Sequence, residues 1–327
     1  MLTLNAFAEF WGSSDLYSEL IPIIDKLFYM RRKLKHRLII VALVILVFLG
    51  YTLFKKPNVP DLETLSLQEW FRCPSPVSVD KMPNKMKVVA TSLQTMASKD
   101  SSLNQIIGLC KKIMHNEPDT RLIVFGEASL GIYFNSVNLN KYQRSIAESI
   151  PGKATDTLGK VARQLRVYLA VGLIEKAGDS LFNSMVVLDT AGNIIARHRK
   201  SFLHDYDVQN GIIEAQKNAQ TFYIDSFQFG LSICADANTR WLMNTYREKK
   251  IDALIYSVTS DVPWIIRKTY YWPIAKKYNS WIIAANRFGN EGKDNYPGFI
   301  FVADKQGAIH KMKSKGIGYI SVVIGKN

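Results

Sequence analysis

The chain has 327 residues, room for one large domain with accessories or for two ordinary ones. With 47% hydrophobic and 21% charged residues it can bury a sizeable core, which excludes wholesale disorder. The formal net charge of +14 suits a nucleic acid, an anionic membrane surface or a solvated lysine-rich face. No Arg/Lys run with interleaved aromatics marks a nucleic-acid groove, so no nucleic-acid partner is expected.

Residues 1–37 read as a cytoplasmic segment in which Leu16–Met30, interrupted by Pro22, forms either a short amphipathic helix or a plain stub. Residues 38–54, Leu38 to Phe54, carry no charge and span about 25 Å as a helix, the short end of a transmembrane length. The basic cluster Arg31–Arg37 precedes this run and only Lys55 and Lys56 closely follow it. That asymmetry predicts a single-pass signal anchor with a cytoplasmic N-terminus and an extracytoplasmic domain, periplasmic if the source is bacterial. A cleaved signal peptide is the competing reading, but no small-x-small site follows the run.

Residues 55–86 contain Pro57, Pro60, Pro74, Pro76 and Pro83, a density that disfavours helix interiors and central strands and predicts a linker. From Lys87 the texture changes. Residues 87–91, 121–125, 167–174, 183–189, 229–235, 252–257, 281–286 and 298–304 read as short β runs. Helical spacing marks Ser102–His115, Thr155–Arg166, Arg240–Lys249 and Ile266–Asn279. The alternation, with no second linker, predicts one α/β domain over residues 87–327.

Cys73, Cys110 and Cys234 are too few and scattered for a disulfide scaffold or a Cys-rich zinc site, and the five histidines include no His-x-x-x-His pair, so no structural metal site is expected; nor is a cofactor, since the thiolate, carboxylate and ammonium described next supply the chemistry. Cys110 lies on an apolar helix face; Cys73 has a thiol available for pairing if the compartment is oxidising. No Gly-x-Ser-x-Gly elbow, phosphate loop or His-Glu-x-x-His helix occurs. What remains are polar residues at the ends of apolar strands, where open α/β folds place their sites. Glu127 follows Leu122–Gly126, Lys200 closes Ala196–Lys200 beyond a Leu188–Asn193 hairpin, and Cys234 follows Phe229–Ile233. A carboxylate to take a thiol proton, a thiolate to attack a carbonyl or nitrile carbon, and an ammonium to stabilise the oxyanion form one coherent set. Taken singly, each has a plainer explanation: a core cysteine, a solvated basic run, a carboxylate capping a turn.

In that order and spacing the three residues resemble the nitrilase, or carbon–nitrogen hydrolase, superfamily. Phe125–Tyr133, Asn183–Asp189 and Ala284–Gly289 resemble further motifs of that family. The resemblance implies a four-layer αββα sandwich, with Glu127 as base, Lys200 as oxyanion stabiliser and Cys234 as nucleophile, the N–H of Ala235 completing the oxyanion hole. It also implies a thioester intermediate, a small-molecule amide-type substrate and a homo-oligomer. Members often carry a second glutamate between the lysine and the cysteine; Glu214 is the only glutamate there, with Asp205 and Asp207 as weaker candidates. His204, Tyr133 and Trp264 are candidate pocket walls. The chain departs from the pattern at Gly126, Ala235 and Asn238, where the family more often has Pro, an aromatic and Arg. Two alternatives stand beside a membrane-anchored amidase: an N-acyltransferase passing the acyl group to an amine, and a non-catalytic binding module of the same fold.

Overall fold

The computed structural model describes residues 74–133, 139–261, 274–292 and 294–327. The expected cytoplasmic segment, the apolar run 38–54, the linker as far as Cys73, Trp264 and the first half of the Ile266–Asn279 helix lie outside the described residues. Among the described residues no helix is long and apolar enough to cross a membrane.

The chain runs β1 (Asn84–Leu93), α1 (Lys99–Asn116), β2 (Thr120–Val124), α2 (Leu139–Ile146), α3 (Lys153–Leu165), β3 (Tyr168–Ala177), β4 (Ser180–Leu188) and β5 (Ile194–Arg199). It continues with α4 (Asp205–Gln209), β6 (Thr221–Ile224), β7 (Phe227–Ile233), a 3₁₀ turn (Cys234–Asn238), α5 (Arg240–Glu248) and β8 (Ala253–Ser257). The last strands are β9 (Trp281–Glu291), β10 (Asp294–Pro297), β11 (Ile300–Ala303), β12 (Ile309–Lys313) and β13 (Gly318–Lys326). The first strand starts three residues before the boundary read from the sequence, because Asn84–Met86 stay in register with Ile324–Lys326 of β13. Ser98 caps α1 by accepting the Ser101 N–H, which satisfies one of the helix's orphan donors.

Two sheets result. One has the order β5-β4-β3-β2-β1-β13; the other runs β6-β7-β8-β9-β11-β12. A short parallel pairing of Ser92 with Asn286 and Leu93 with Arg287 joins them at β1 and β9. Strand alternation then sorts the side chains into layers. Val88, Ala90, Leu122 and Val124 point toward Leu231, Ile233, Ile255 and Ile283 and fill the space between the sheets. Their neighbours Val89, Ile123 and Phe125 face the other way, onto Ile106 and Cys110 of α1 and Leu158 and Ala162 of α3. On the far sheet Leu254, Tyr256 and Ile282 pack on Leu242, Met243 and Tyr246 of α5. Helix, sheet, sheet, helix is the order the sequence resemblance implied.

Because both sheets are covered, strands read as continuous apolar runs and end in polar residues only where they leave the core. The adjacent strands β1, β2 and β3 are parallel, as are β7, β8 and β9. Their C-terminal ends therefore gather the polar residues in one place. Ile283 is fully buried between the sheets. Arg121 and Asp225, in contrast, form a two-armed ion pair (2.8 and 3.1 Å) at the surface. In urea unfolding Ile283→Ala should cost about 2–5 kcal/mol, whereas Arg121→Ala should cost no more than about 1 kcal/mol. Equal costs would mean the inter-sheet core does not dominate stability.

Candidate active site

Glu127 leaves the core two residues beyond Phe125, whose N–H still bonds to Ala170 of β3 (2.8 Å). Gly172 lies so close beneath this turn that a Cβ there would stand 2.6 Å from the Gly126 carbonyl oxygen. Ala128 takes a left-handed φ of 47°, which turns the chain sharply and leaves the Glu127 carboxylate buried at 1% exposure. One carboxylate oxygen accepts from Lys200 Nζ (2.9 Å) and Asn183 Nδ2 (2.7 Å); the other accepts the N–H of Thr259 (2.7 Å).

Lys200 follows β5, its N–H bonded to the Asn183 carbonyl (2.8 Å). Its ammonium is buried and donates to Glu127 and to Asp207 Oδ2 (2.7 Å). Burial works against the charge, but Glu127 and Asp207 overcome it and hold the Lys200 pKa well above the ordinary lysine value. Burial likewise disfavours charge on Asp207, and Lys200 more than reverses this, so the Asp207 pKa is lowered. Asp207 also accepts from Asn183 Nδ2 (3.1 Å), from the His204 N–H (2.8 Å) and, in a short bond, from the Tyr133 hydroxyl.

Cys234 sits where β7 passes into the 3₁₀ turn, with φ at 48°. A left-handed non-glycine residue costs on the order of 1–3 kcal/mol, which the surrounding bonds offset. Asp236 is central among them. One of its oxygens accepts from Ser201 N (3.0 Å), Ser201 Oγ (3.2 Å) and Phe202 N (2.9 Å), and the other meets His198 Nε2 (2.9 Å). The cysteine turn is thereby bound to the lysine turn. Part of Cys234 reaches the surface, but its surroundings desolvate the sulfur. That desolvation, reinforced by Glu127 and opposed by Lys200 and a backbone bond from Thr259, pushes the thiol up to about 12.

Of the four expected site residues, Glu127, Lys200 and Cys234 come together. Glu214 does not. It is exposed, on a loop whose backbone is pinned on either side by Ile213 N to Leu181 O (2.9 Å) and Ala215 N to Lys200 O (3.2 Å). Asp207, ranked lower from sequence, stands against the lysine instead because α4 carries it inward: His204 caps that short helix and Asp207 returns the bond. Tyr133 lines the site as expected, whereas His204 is exposed. Asn183, Thr259 and Arg287 were missed as site residues. Asn183 was legible as a polar residue beside Ser184 in a mostly apolar strand; Thr259 meets the Glu127 carboxylate through its backbone N–H, which left no signal. Cys110 is buried, without a disulfide among the described residues. No cluster of metal-ligating side chains occurs among the described residues.

Chemically, the site holds a protonated thiol, a carboxylate and an ammonium in a single hydrogen-bonded and electrostatic set. Comparison with known proteins is consistent with that chemistry. A family model described as carbon-nitrogen hydrolase matches residues 87–319. The omega-amidase NIT2 of Bos taurus is 29% identical over 179 residues, 52% of this chain and 62% of the relative, so the chain spans less than two thirds of that protein's length. Nit3 of Saccharomyces cerevisiae, a member of branch 10 of the nitrilase superfamily, shares the fold with a TM-score of 0.64 at 19% identity, covering 76% of this chain and 93% of Nit3. A glutamate-to-glutamine mutant of the amidase from Nesterenkonia sp. shows covalent addition of the acetamide moiety of fluoroacetamide at its active site cysteine. It superposes with a TM-score of 0.65 at 13% identity, over 76% of this chain and 93% of that one.

Replacing Asp207 by Asn leaves a buried ammonium with one carboxylate, and should cost up to about 3–5 kcal/mol of stability at neutral pH. Since the folded pKa of Asp207 lies below its unfolded value of about 3.9, this contribution is complete above that value. It is lost as pH falls through the lower folded value, so the gap between wild type and Asp207→Asn should close in acid. Glu214→Gln should change stability by less than about 0.5 kcal/mol. Urea titrations of both variants from pH 7 down to pH 2 check the pair.

Proposed function

The chain belongs to the carbon–nitrogen hydrolase family, and from that premise we propose that it is a thiol hydrolase. It cleaves a non-peptide amide-type bond of a small molecule through a thioester on Cys234. The observation that carries this reading is the buried Lys200 ammonium hydrogen-bonded to Glu127, with both acting electrostatically on the Cys234 thiol.

The thiol is protonated at rest, so attack requires a base in place. Glu127 takes the proton as the sulfur adds to the carbonyl carbon, and the lone pair displaced onto oxygen is met by Lys200 and the N–H of Ala235. Collapse of the tetrahedral species breaks the C–N bond, and the leaving nitrogen takes the proton from Glu127. Water then attacks the thioester, giving its proton to the same carboxylate, and the acid departs as the thiol re-forms. Asp207 keeps Lys200 charged through both steps. The amidase names of NIT2 and of the Nesterenkonia enzyme support an amide as the substrate class.

Cys234→Ala should abolish turnover of small amides by the full-length protein while leaving its circular dichroism and unfolding midpoint near those of wild type. Retained turnover would overturn the reading. Release of acid, rather than transfer of the acyl group to an added amine, distinguishes hydrolysis from acyl transfer.

The second part of the proposal is topological. Leu38–Phe54 anchors the enzyme in a membrane with residues 1–37 in the cytoplasm and the hydrolase domain on the opposite side, supported by the Arg31–Arg37 cluster. Full-length protein should stay with membranes after an alkaline carbonate wash, and added protease should reach its domain only from the extracytoplasmic face. Release by carbonate would remove the anchor from the proposal without touching the chemistry.

A further inference from the structure

Arg287 is a fully buried arginine, 1% exposed, at the point where β9 leaves the core. Burying a guanidinium is costly unless its donors are used; the Nε here has no hydrogen-bond partner, but both terminal nitrogens are spent on the strand ends that frame the site. One terminal nitrogen donates to the carbonyl oxygens of Glu127 (2.7 Å) and Ala128 (2.8 Å). Two successive carbonyls meet at one nitrogen because Ala128 is left-handed, so the clamp and the turn that aims the Glu127 carboxylate depend on each other. The second terminal nitrogen donates to Glu291 and reaches Thr95 Oγ1 (3.4 Å).

Glu291 does more than balance charge. Its other oxygen accepts the N–H of Tyr133 (2.7 Å), and the Tyr133 hydroxyl donates to Asp207. Thr95 Oγ1 donates to Glu291 as well (2.6 Å). The two carboxylates that hold Lys200 are thus both traceable to one ion pair. Arg287 holds Glu127 by its main chain, and Glu291 holds Asp207 through Tyr133. We propose that Arg287 and Glu291 are positioning residues that set the spacing of Glu127 and Asp207 across Lys200, and through it the placement of base and oxyanion donor around Cys234. This inference rests on the hydrolase reading above and adds to it the device that keeps its three groups in register.

A lysine at position 287 keeps the charge but lacks the planar fork that serves two carbonyls and a carboxylate at once. Tyr133→Phe cuts the other arm at its bond to Asp207, together with the 3.2 Å bond that the hydroxyl accepts from Asn183 Nδ2, and leaves the backbone bond to Glu291 in place. The probe is iodoacetamide, an alkylating amide, with modification of Cys234 and Cys110 in the full-length protein resolved by peptide mass spectrometry. In Arg287→Lys the maximal rate of Cys234 alkylation should fall by about tenfold or more, since sub-ångström misplacement of reacting groups has effects of that order. Tyr133→Phe should lower it several-fold, and in both the half-saturating concentration should stay within about twofold, the pattern of lost positioning rather than lost binding. Near-wild-type unfolding midpoints would accompany these losses. Wild-type alkylation rates in either folded variant would overturn the inference, and if Arg287→Lys fails to fold, Tyr133→Phe decides alone. If Cys234 in the wild-type protein reacts no faster than Cys110, the hydrolase reading itself fails, a result separate from equal rates in variant and wild type.

Discussion

An ammonium group enclosed by protein is the constraint around which this structure is arranged. Lys200 is 2% exposed, and removing a charge of that kind from water costs several kcal/mol even after relaxation. Two carboxylates supply the compensation, and each has its own set of donors. Glu127 is met by Asn183 and Thr259; Asp207 is met by Asn183, Tyr133 and the His204 amide. Asn183 touches both, so the three charges are held by a side chain that adds no charge of its own. The charged members are all paired, which holds the geometry around the lysine; within this network the Asn183 Oδ1 alone is buried without a hydrogen-bond partner.

Both sheets take part in meeting that demand. Lys200, Asn183 and Glu127 come from the sheet containing β1–β5, and Cys234 and Thr259 from the sheet containing β7–β9. Adjacent parallel strands end together, so their C-terminal residues converge without long loops. Side-chain ties then cross from one strand end to the next: Asp236 to the turn after Lys200, Ser257 Oγ to the Phe125 carbonyl (3.0 Å), and Asn286 to both the N–H and carbonyl of Ser260 (3.1 and 3.2 Å). The inter-sheet core supplies the rigidity these ties assume, since a packed interior resists the small shifts that would lengthen them.

The fold was legible in the sequence wherever burial on two sides left uninterrupted apolar runs. That is why the central strands and the helices α1, α3 and α5 emerged from pattern alone. Peripheral strands such as β6, β10 and β12 were not legible, because short or half-exposed segments carry no distinctive period. The same logic divides the site. Glu127 and Cys234 each end a buried apolar run, where a polar residue needs a reason, whereas Lys200 closes a half-exposed basic segment and was legible only through its order and spacing with the other two. Asp207 lies among polar residues of a short helix, where a carboxylate is unremarkable, and only the His204 cap explains its inward turn. Glu214 was preferred on residue type, while its direction was decided by backbone bonds on either side that no side-chain pattern records. Arg287 was not singled out within the Ala284–Gly289 motif, because two of its acceptors are the carbonyl oxygens of Glu127 and Ala128, and main-chain acceptors leave no mark in a sequence.

The Cys234 sulfur, held as a thiol until a base removes its proton, bears on how the molecule withstands its surroundings. Peroxide and small disulfides attack through the thiolate, so a sulfur whose ionisation is pushed up to about 12 offers them little to react with at neutral pH. On the mechanism proposed above, the idle sulfur is a poor target for such reagents, and its nucleophilicity is called out by a substrate that lets Glu127 accept the proton.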